Sequence, residues 1–184
     1  MCNMRSLFPK LENFKTDFFE RQVDVSLCCE VWKKSENKIH KAKIEEMLEM
    51  EGLKYFSTTR PRGKRGGGAA IIVNKDKFKV EKLEILIPYH LEIVWALAHP
   101  KAEDSQFKKI IMCSIYSPPR SRLRNKLKDH IIGTLQMLTT KYQDCAIYVG
   151  GDKNKMDISS LLNNNLKLKQ IVGFPTRKKE ILEA

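Results

Sequence analysis

Five polar side chains stand at the ends of apolar, strand-like runs or just before a helical one. Asn3 precedes the first amphipathic segment, Glu30 ends the run VDVSLCCE, and Tyr116 ends KIIMCSIY. Asp152 and Asn154 follow the run CAIYVGG. In layered α/β folds the ends of several strands meet along one rim, where polar groups commonly form a catalytic or binding site. The alternative for each residue alone is a turn or helix cap, a common role of Asn and Asp.

Other catalytic and metal-binding patterns are absent from the sequence. It has no G-x-S-x-G motif, its 4 histidines have no H-E-x-x-H spacing, and its 5 cysteines include no C-x-x-C pair. We therefore expect a reduced intracellular protein without a zinc site. The stretch RGKRGGGAA is no nucleotide P-loop, because Ala69 and Ala70 stand where that motif requires Lys and Ser or Thr.

The charge of the chain favours a polyanionic partner. Its 184 residues carry 34 Lys+Arg against 22 Asp+Glu, a net charge of +12. Nucleic acid is the first candidate and an anionic membrane the second. Arg60, Arg62, Lys64 and Arg65 form a basic loop that is expected to contact backbone phosphates, with simple solvation as the alternative. No apolar run reaches the roughly 18 residues of a transmembrane helix. Of the two candidate partners we expect nucleic acid and no membrane.

The hydrophobic pattern indicates an α/β layered fold. It predicts helices over 10–22, 39–51 and 121–141, and strands over 23–30, 69–74, 91–99, 109–117 and 145–150. Strands and helices that mix in this way are typical of α/β layers. The short connection PKAEDSQFK predicts that the strands on either side of it pair antiparallel. The length fits one domain.

Six short segments occur in a fixed order along nearly the whole chain. They are N-x-R-S-L at 3–7, C-E-V-W at 29–32, GGGAAIIV at 66–73, IYSPP at 115–119, GGDKN at 150–154 and FPTR at 174–177. Their order resembles the endonuclease/exonuclease/phosphatase superfamily, and within it the apurinic-type endonuclease domain of non-LTR (LINE-like) retrotransposons, which usually accompanies a reverse transcriptase. The resemblance implies one domain over 1–184, a deoxyribonuclease-I-like α/β sandwich of two mainly antiparallel or mixed sheets flanked by helices.

The resemblance also implies a metal-dependent phosphodiester hydrolase, a DNA endonuclease with Mg²⁺ or Mn²⁺ as cofactor and no organic cofactor. By position, Glu30 would be the main metal ligand with Asn3 beside it. Asp152 would orient or deprotonate the attacking water, and Asn154 would hydrogen-bond the phosphoryl oxygens. Tyr116 would help to position the phosphate.

DNA contacts are implied for two further sites. Arg177 of the FPTR segment and the basic loop at 60–65 would contact the DNA backbone. A DNA substrate implies the nucleus, and PRGKR is the only stretch that resembles an import signal.

Two alternatives to a DNA endonuclease stay open. The first is a non-catalytic nucleic-acid-binding remnant of that domain. The second is a relative that acts on another phosphate ester, such as a phosphoinositide.

The chain departs from the family pattern in three places. Family members begin with a fuller strand before the Asn, and they continue past P-T-R to a strand bearing an Asp and to a Ser-Asp-His. The sequence given ends at ILEA without these residues, so we expect missing closing strands and weak or absent activity. Lys153 replaces the aromatic or apolar residue of the family's G-D-F-N, which places a charge beside the site.

Overall fold

The computed structural model describes residues 2–31, 38–58, 66–162 and 168–171. The strands are β1 Cys2–Asn3, β2 Val25–Cys29, β3 Leu53–Ser57, β4 Ala69–Asn74, β5 Phe78–Lys82, β6 Glu92–Pro100, β7 Lys109–Tyr116 and β8 Cys145–Asp152. The helices are α1 Leu11–Glu20, preceded by a 3-10 turn at Phe8–Lys10, α2 Lys38–Met50, α3 Arg124–Lys141 and α4 Ser159–Leu162. The chain forms two compact units, 1–116 with 144–152 and 117–143 with 153–184.

The first unit contains two four-stranded sheets, with strand orders β1-β2-β4-β3 and β5-β6-β7-β8. Each sheet is mixed: β1 pairs parallel with β2, β7 pairs parallel with β8, and the other neighbours are antiparallel. The antiparallel pairing of β6 with β7 confirms the prediction made from their short connection. The expected pair of mixed sheets is therefore present.

The core explains why β4 is a continuous apolar run. Between the two sheets lie the buried side chains Ala69, Ile71, Val73, Val94, Ala96, Ala98 and Met112. On the other face of the first sheet lie Cys28, Ala70 and Ile72, packed with Leu11 and Phe18 of α1 and Ile44 and Leu48 of α2. A strand buried on both faces carries apolar side chains at every position. The first sheet thus has a helical layer on one face and the second sheet on the other, which confirms the α/β sandwich.

The second unit is built on α3. Its buried positions Leu127, Ile131, Leu135 and Leu138 follow the spacing of one helical face. The predicted helix over 121–141 begins later, at Arg124, because the Ser121 hydroxyl accepts a hydrogen bond from the Leu123 amide and forms a turn before the helix. Among the described residues, no helix is both long and apolar enough to cross a membrane.

Candidate active site

The first half of the site is the segment that carries Asn3. Asn3 pairs with Cys29 in the parallel β1–β2 ladder. Beyond the ladder, the Met4 amide donates to the Cys29 carbonyl at 2.9 Å and the Ser6 amide donates to the Glu30 carbonyl at 2.8 Å. Because these bonds keep the two segments side by side, Asn3 and Glu30 lie at the same end of the first sheet.

The second half of the site is the end of the second sheet. Asp152 is the last residue of β8 and pairs with Tyr116, the last residue of β7. The two sheets meet at this end, since the Asn3 side-chain amide (Nδ2) donates to the Asp152 carboxylate (Oδ2) at 3.5 Å. This distance is the long end of the hydrogen-bonding range, so the contact positions the two groups more than it stabilises them. Asn3, Glu30 and Asp152, predicted from widely separated motifs, are therefore brought together.

The buried Cys29 thiol lies next to this rim and senses its charge. Burial is the main cause that raises the pKa of Cys29 to about 12, and the negative charge of Asp152 and, less strongly, of Cys2 and Glu30 adds to it. Both carboxylates therefore act electrostatically on the same side chain. At pH 7 the Cys29 thiol is neutral and is not a nucleophile.

Glu30 is held in an unusual backbone conformation. Its φ is +54°, in the left-handed region that residues other than glycine adopt infrequently. Such a conformation costs on the order of 1 kcal/mol or more and persists where surrounding contacts impose it. Here the Ser6 amide holds the Glu30 carbonyl, and the Leu7 amide donates to the carbonyl of the next residue, Val31, at 3.3 Å.

The position just before Asp152 requires a glycine, Gly151. Its φ is +137°, and a Cβ at this position would lie 1.9 Å from the carbonyl oxygen of Ile115. Only a residue without a side chain allows β8 to approach β7 this closely. The glycine therefore fixes the position from which Asp152 extends.

Glu92 is a residue at this rim that sequence reasoning missed. It is the first residue of β6, pairs with Tyr116 and is only 5% exposed. Its carboxylate accepts a hydrogen bond from the Gly68 amide, which precedes β4 of the other sheet. Gly68 has a φ of +86°, and a Cβ there would lie 2.8 Å from Val31 Cγ2. The sequence signal was an acid at the start of the otherwise apolar run EIVWALA.

Two other predicted residues are placed as follows. Tyr116 lies at the end of β7 between Glu92 and Asp152 in register, and its side chain is 6% exposed. Asn154 belongs to the second unit, where its side-chain amide (Nδ2) donates to the Ser117 carbonyl at 2.7 Å. Its φ of +46° is also left-handed. The remaining predicted contacts, Arg60, Arg62, Lys64, Arg65 and Arg177, lie outside the described residues.

The donor set at the rim suits a hard cation. Within the described ranges, no three His, Cys, Asp or Glu side chains are grouped so that they could hold a metal ion. The residues that meet at the rim are Asn3, Glu30 and Asp152, which offer amide and carboxylate oxygens. Mg²⁺ binds such oxygens and commonly uses one or two protein carboxylates while it keeps several waters. These residues therefore fit Mg²⁺ or Mn²⁺ by chemistry.

Comparison with known proteins identifies the fold. No family model matches the sequence, and no curated protein sequence matches it. Three similar solved structures are the endonuclease domain of TRAS1, a telomere-specific non-LTR retrotransposon, the AP endonuclease LMAP from Leishmania major, and the 3'-5' exonuclease NExo from Neisseria meningitidis. Their TM-scores are 0.51, 0.58 and 0.51, and their sequence identities are 16%, 12% and 15%.

The match extends over most of this chain. It covers 82% of this chain in all three cases, and 57%, 53% and 55% of the TRAS1, LMAP and NExo chains. This chain thus spans little more than half the length of those structures. The α/β sandwich fold that the sequence resemblance implied is confirmed.

Proposed function

We propose that this chain is a phosphodiester hydrolase domain, a metal-dependent DNA endonuclease of retroelement origin. The observation that supports it is the meeting of Asn3, Glu30 and Asp152 at one rim. The sheets that carry them have a fold found in structures named as nucleases. The retroelement origin rests on the N-x-R-S-L and FPTR segments and on the similarity to the TRAS1 domain.

Each residue of the rim has a distinct role in this proposal. Glu30, with the amide oxygen of Asn3, would hold Mg²⁺ or Mn²⁺, which when bound neutralises charge on the scissile phosphate. Asp152 accepts a proton from the attacking water or orients it. The hydrogen bond from Asn3 to Asp152 holds the carboxylate in place for that step.

Two further side chains would position the phosphate. Asn154, whose side-chain amide (Nδ2) donates to the Ser117 carbonyl, would hydrogen-bond a phosphoryl oxygen. Tyr116 would help to align the phosphate from the end of β7.

The DNA backbone would be bound by five basic side chains, in keeping with the net charge of +12. They are Arg60, Arg62, Lys64, Arg65 and Arg177. A DNA substrate would place the activity in the nucleus.

The rate of this reaction is expected to be low in the 184-residue polypeptide. The family's Ser-Asp-His is not among its residues, and loss of one member of a cooperating catalytic set costs orders of magnitude in rate. The second candidate is a nucleic-acid-binding protein without cleavage. The missing Ser-Asp-His and the net charge of +12 favour this candidate. A phosphatase-type relative that acts on another phosphate ester is the third.

Nicking of supercoiled plasmid separates these candidates. The purified chain is incubated with MgCl₂, with MnCl₂ or with EDTA, and binding to a labelled duplex is measured in the same buffers. We expect slow nicking with either metal and none with EDTA. Full binding without nicking would favour the binding protein. Release of phosphate from a phosphoinositide without DNA nicking would favour the third candidate.

A further inference from the structure

Two cysteines in the first sheet are in direct side-chain contact. Cys2 of β1 and Cys28 of β2 are register partners in the parallel ladder, and their sulfur atoms lie 3.3 Å apart. Neighbouring strands lie roughly 4.7–4.9 Å apart, inside the range of Cα separations found in disulfides, about 4.4–6.8 Å. The register of the two residues and the contact of their sulfur atoms are therefore compatible with a disulfide.

The surroundings of the two sulfurs favour reaction with each other. Cys28 is fully buried, whereas Cys2 is partly exposed on the short edge strand β1. The Ser26 hydroxyl lies 3.3 Å from the Cys28 sulfur and 3.6 Å from the Cys2 sulfur, and the Met4 sulfur lies 3.3 Å from that of Cys2. Bond formation requires a sulfur shift of roughly 1.3 Å, since a disulfide bond is about 2.05 Å long.

Cys29 does not offer the same contact. Successive side chains of a strand point to opposite faces, so Cys29 faces away from the Cys28 side of β2. Its thiol donates to the main-chain carbonyl of Cys2 at 3.5 Å. Cys29 is thus adjacent in sequence and differently oriented, which makes it a matched control.

We propose that Cys2 and Cys28 form a reversible disulfide, so that this pair is an oxidative modification site. Hydrogen peroxide oxidises the accessible Cys2 thiol to a sulfenic acid and is itself reduced to one water. The Cys28 sulfur then attacks the sulfenic sulfur while the Cys28 proton passes to the sulfenic hydroxyl, so that the S–S bond forms, the S–O bond breaks and a second water leaves. In total the two thiols lose two protons and two electrons, and one hydrogen peroxide becomes two waters. A dithiol restores both thiols.

The disulfide would hold β1, the shortest strand of the first sheet, against β2. β1 is two residues long, and among the described strands its one neighbour is β2, through Cys2 with Cys28 and Asn3 with Cys29. A covalent bond between residues 26 positions apart restricts the unfolded chain and keeps β1 in register. The residue next to the bond is Asn3. The proposal stands independently of the proposed function.

Peptide mapping tests the linkage. The reduced 184-residue chain is treated with a small excess of hydrogen peroxide, blocked with N-ethylmaleimide and digested with trypsin. Cys2 falls in peptide 1–5, whereas Cys28 and Cys29 share peptide 22–33. We expect a linked pair of these peptides in the parent and in Cys29→Ala, none in Cys28→Ala or Cys2→Ser, and reversal by dithiothreitol. The Cys2→Ser change is on a partly exposed residue, which keeps the test valid if Cys28→Ala fails to fold.

Denaturant unfolding gives a second readout. The oxidised parent and the oxidised Cys29→Ala variant should unfold at higher urea than their reduced forms, whereas peroxide should not raise the midpoint of Cys2→Ser. The proposal is overturned if Cys2 stays reduced or goes to sulfinic acid without a link. It is also overturned if the link survives Cys28→Ala and is lost in Cys29→Ala.

Discussion

The side-chain amide of Asn3 donates to the carboxylate of Asp152 at 3.5 Å, although 149 positions separate them in the sequence. Asn3 lies on an edge strand of the first sheet and Asp152 ends an edge strand of the second. The contact therefore joins the half of the rim that is proposed to bind the metal to the half that is proposed to orient the attacking water.

Glu30→Gln should weaken metal binding. The substitution keeps the size of the side chain and removes the negative charge that the proposed ligand offers to the cation. We expect the Mn²⁺ concentration at half-saturation to rise by about tenfold or more, within the range typical for perturbing a metal site. Titration of Mn²⁺ followed by electron paramagnetic resonance measures it. Glu84→Gln, an exposed carboxylate outside the rim, is the control, and equal affinity in both variants would contradict the assignment.

Removal of the Glu92 carboxylate should destabilise the first unit. Glu92→Ala leaves the Gly68 amide without its acceptor and opens space at a buried position. We expect a loss of about 2–4 kcal/mol in the free energy of unfolding, and a smaller loss for Glu92→Gln, which keeps an acceptor oxygen. Urea unfolding measures both. Two variants as stable as the parent would show that the bond to Gly68 does not hold the sheets at this end.

Gly151→Ala and Gly133→Ala should have opposite effects. At Gly151 a Cβ would overlap the Ile115 carbonyl, whereas at Gly133, inside α3, it would meet nothing within 4 Å. We expect Gly151→Ala to cost about 3 kcal/mol or more of stability, and Gly133→Ala to add about 1 kcal/mol through helix propensity. Thermal and urea unfolding of both variants test this. A tolerated Gly151→Ala would mean that β8 does not approach β7 as closely as described.

The basic loop should control the salt dependence of DNA binding. Replacement of Arg60, Arg62, Lys64 and Arg65 by Ala removes up to four phosphate contacts. The slope of log affinity against log salt should then decrease in magnitude by up to about 3.6, at about 0.9 per contact with duplex DNA. Fluorescence anisotropy with a labelled duplex measures the slope. Replacement of Lys77, Lys79, Lys101 and Lys108, outside this loop, is the charge-matched control. If both quadruple variants lower the slope equally, binding is diffuse and the loop has no special role.

The sequence predicts the elements that packing determines locally. The range 69–74 predicted for β4 is the one observed, because burial on both faces makes every position apolar. β2, β6, β7, β8 and the helices α1, α2 and α3 differ from prediction by a few residues at their ends. β1, β3, β5 and the short helix α4 were not predicted. β1 has two residues and exists because β2 offers it a parallel partner, and β5 is an edge strand with alternate residues exposed, FKVEK.

The candidate site could be predicted only in part, and for the same reason. Glu30 and Asp152 could be predicted because they stand at the ends of apolar strands. Hydrophobic periodicity does not show that β1 pairs parallel with β2 or that the Asn3 amide reaches the second sheet. Asn3 was predicted from the order of the six sequence motifs. Glu92 was not predicted because its role depends on a hydrogen bond to Gly68, which lies just before β4 of the other sheet and which no local sequence pattern identifies as its partner.

The most direct test of the proposed site is the rate of plasmid nicking in magnesium by five proteins purified in parallel. They are the parent, Asn3→Ala, Asp152→Asn, the double variant and Asp104→Asn, an exposed control. We expect metal-dependent nicking by the parent and the control and a loss of tenfold or more in each single variant. The double variant should be no slower than Asp152→Asn alone, because the two residues are proposed to act as a unit. Nicking that persists at the parent rate in Asp152→Asn, or that continues in EDTA, would contradict the proposed role of this rim.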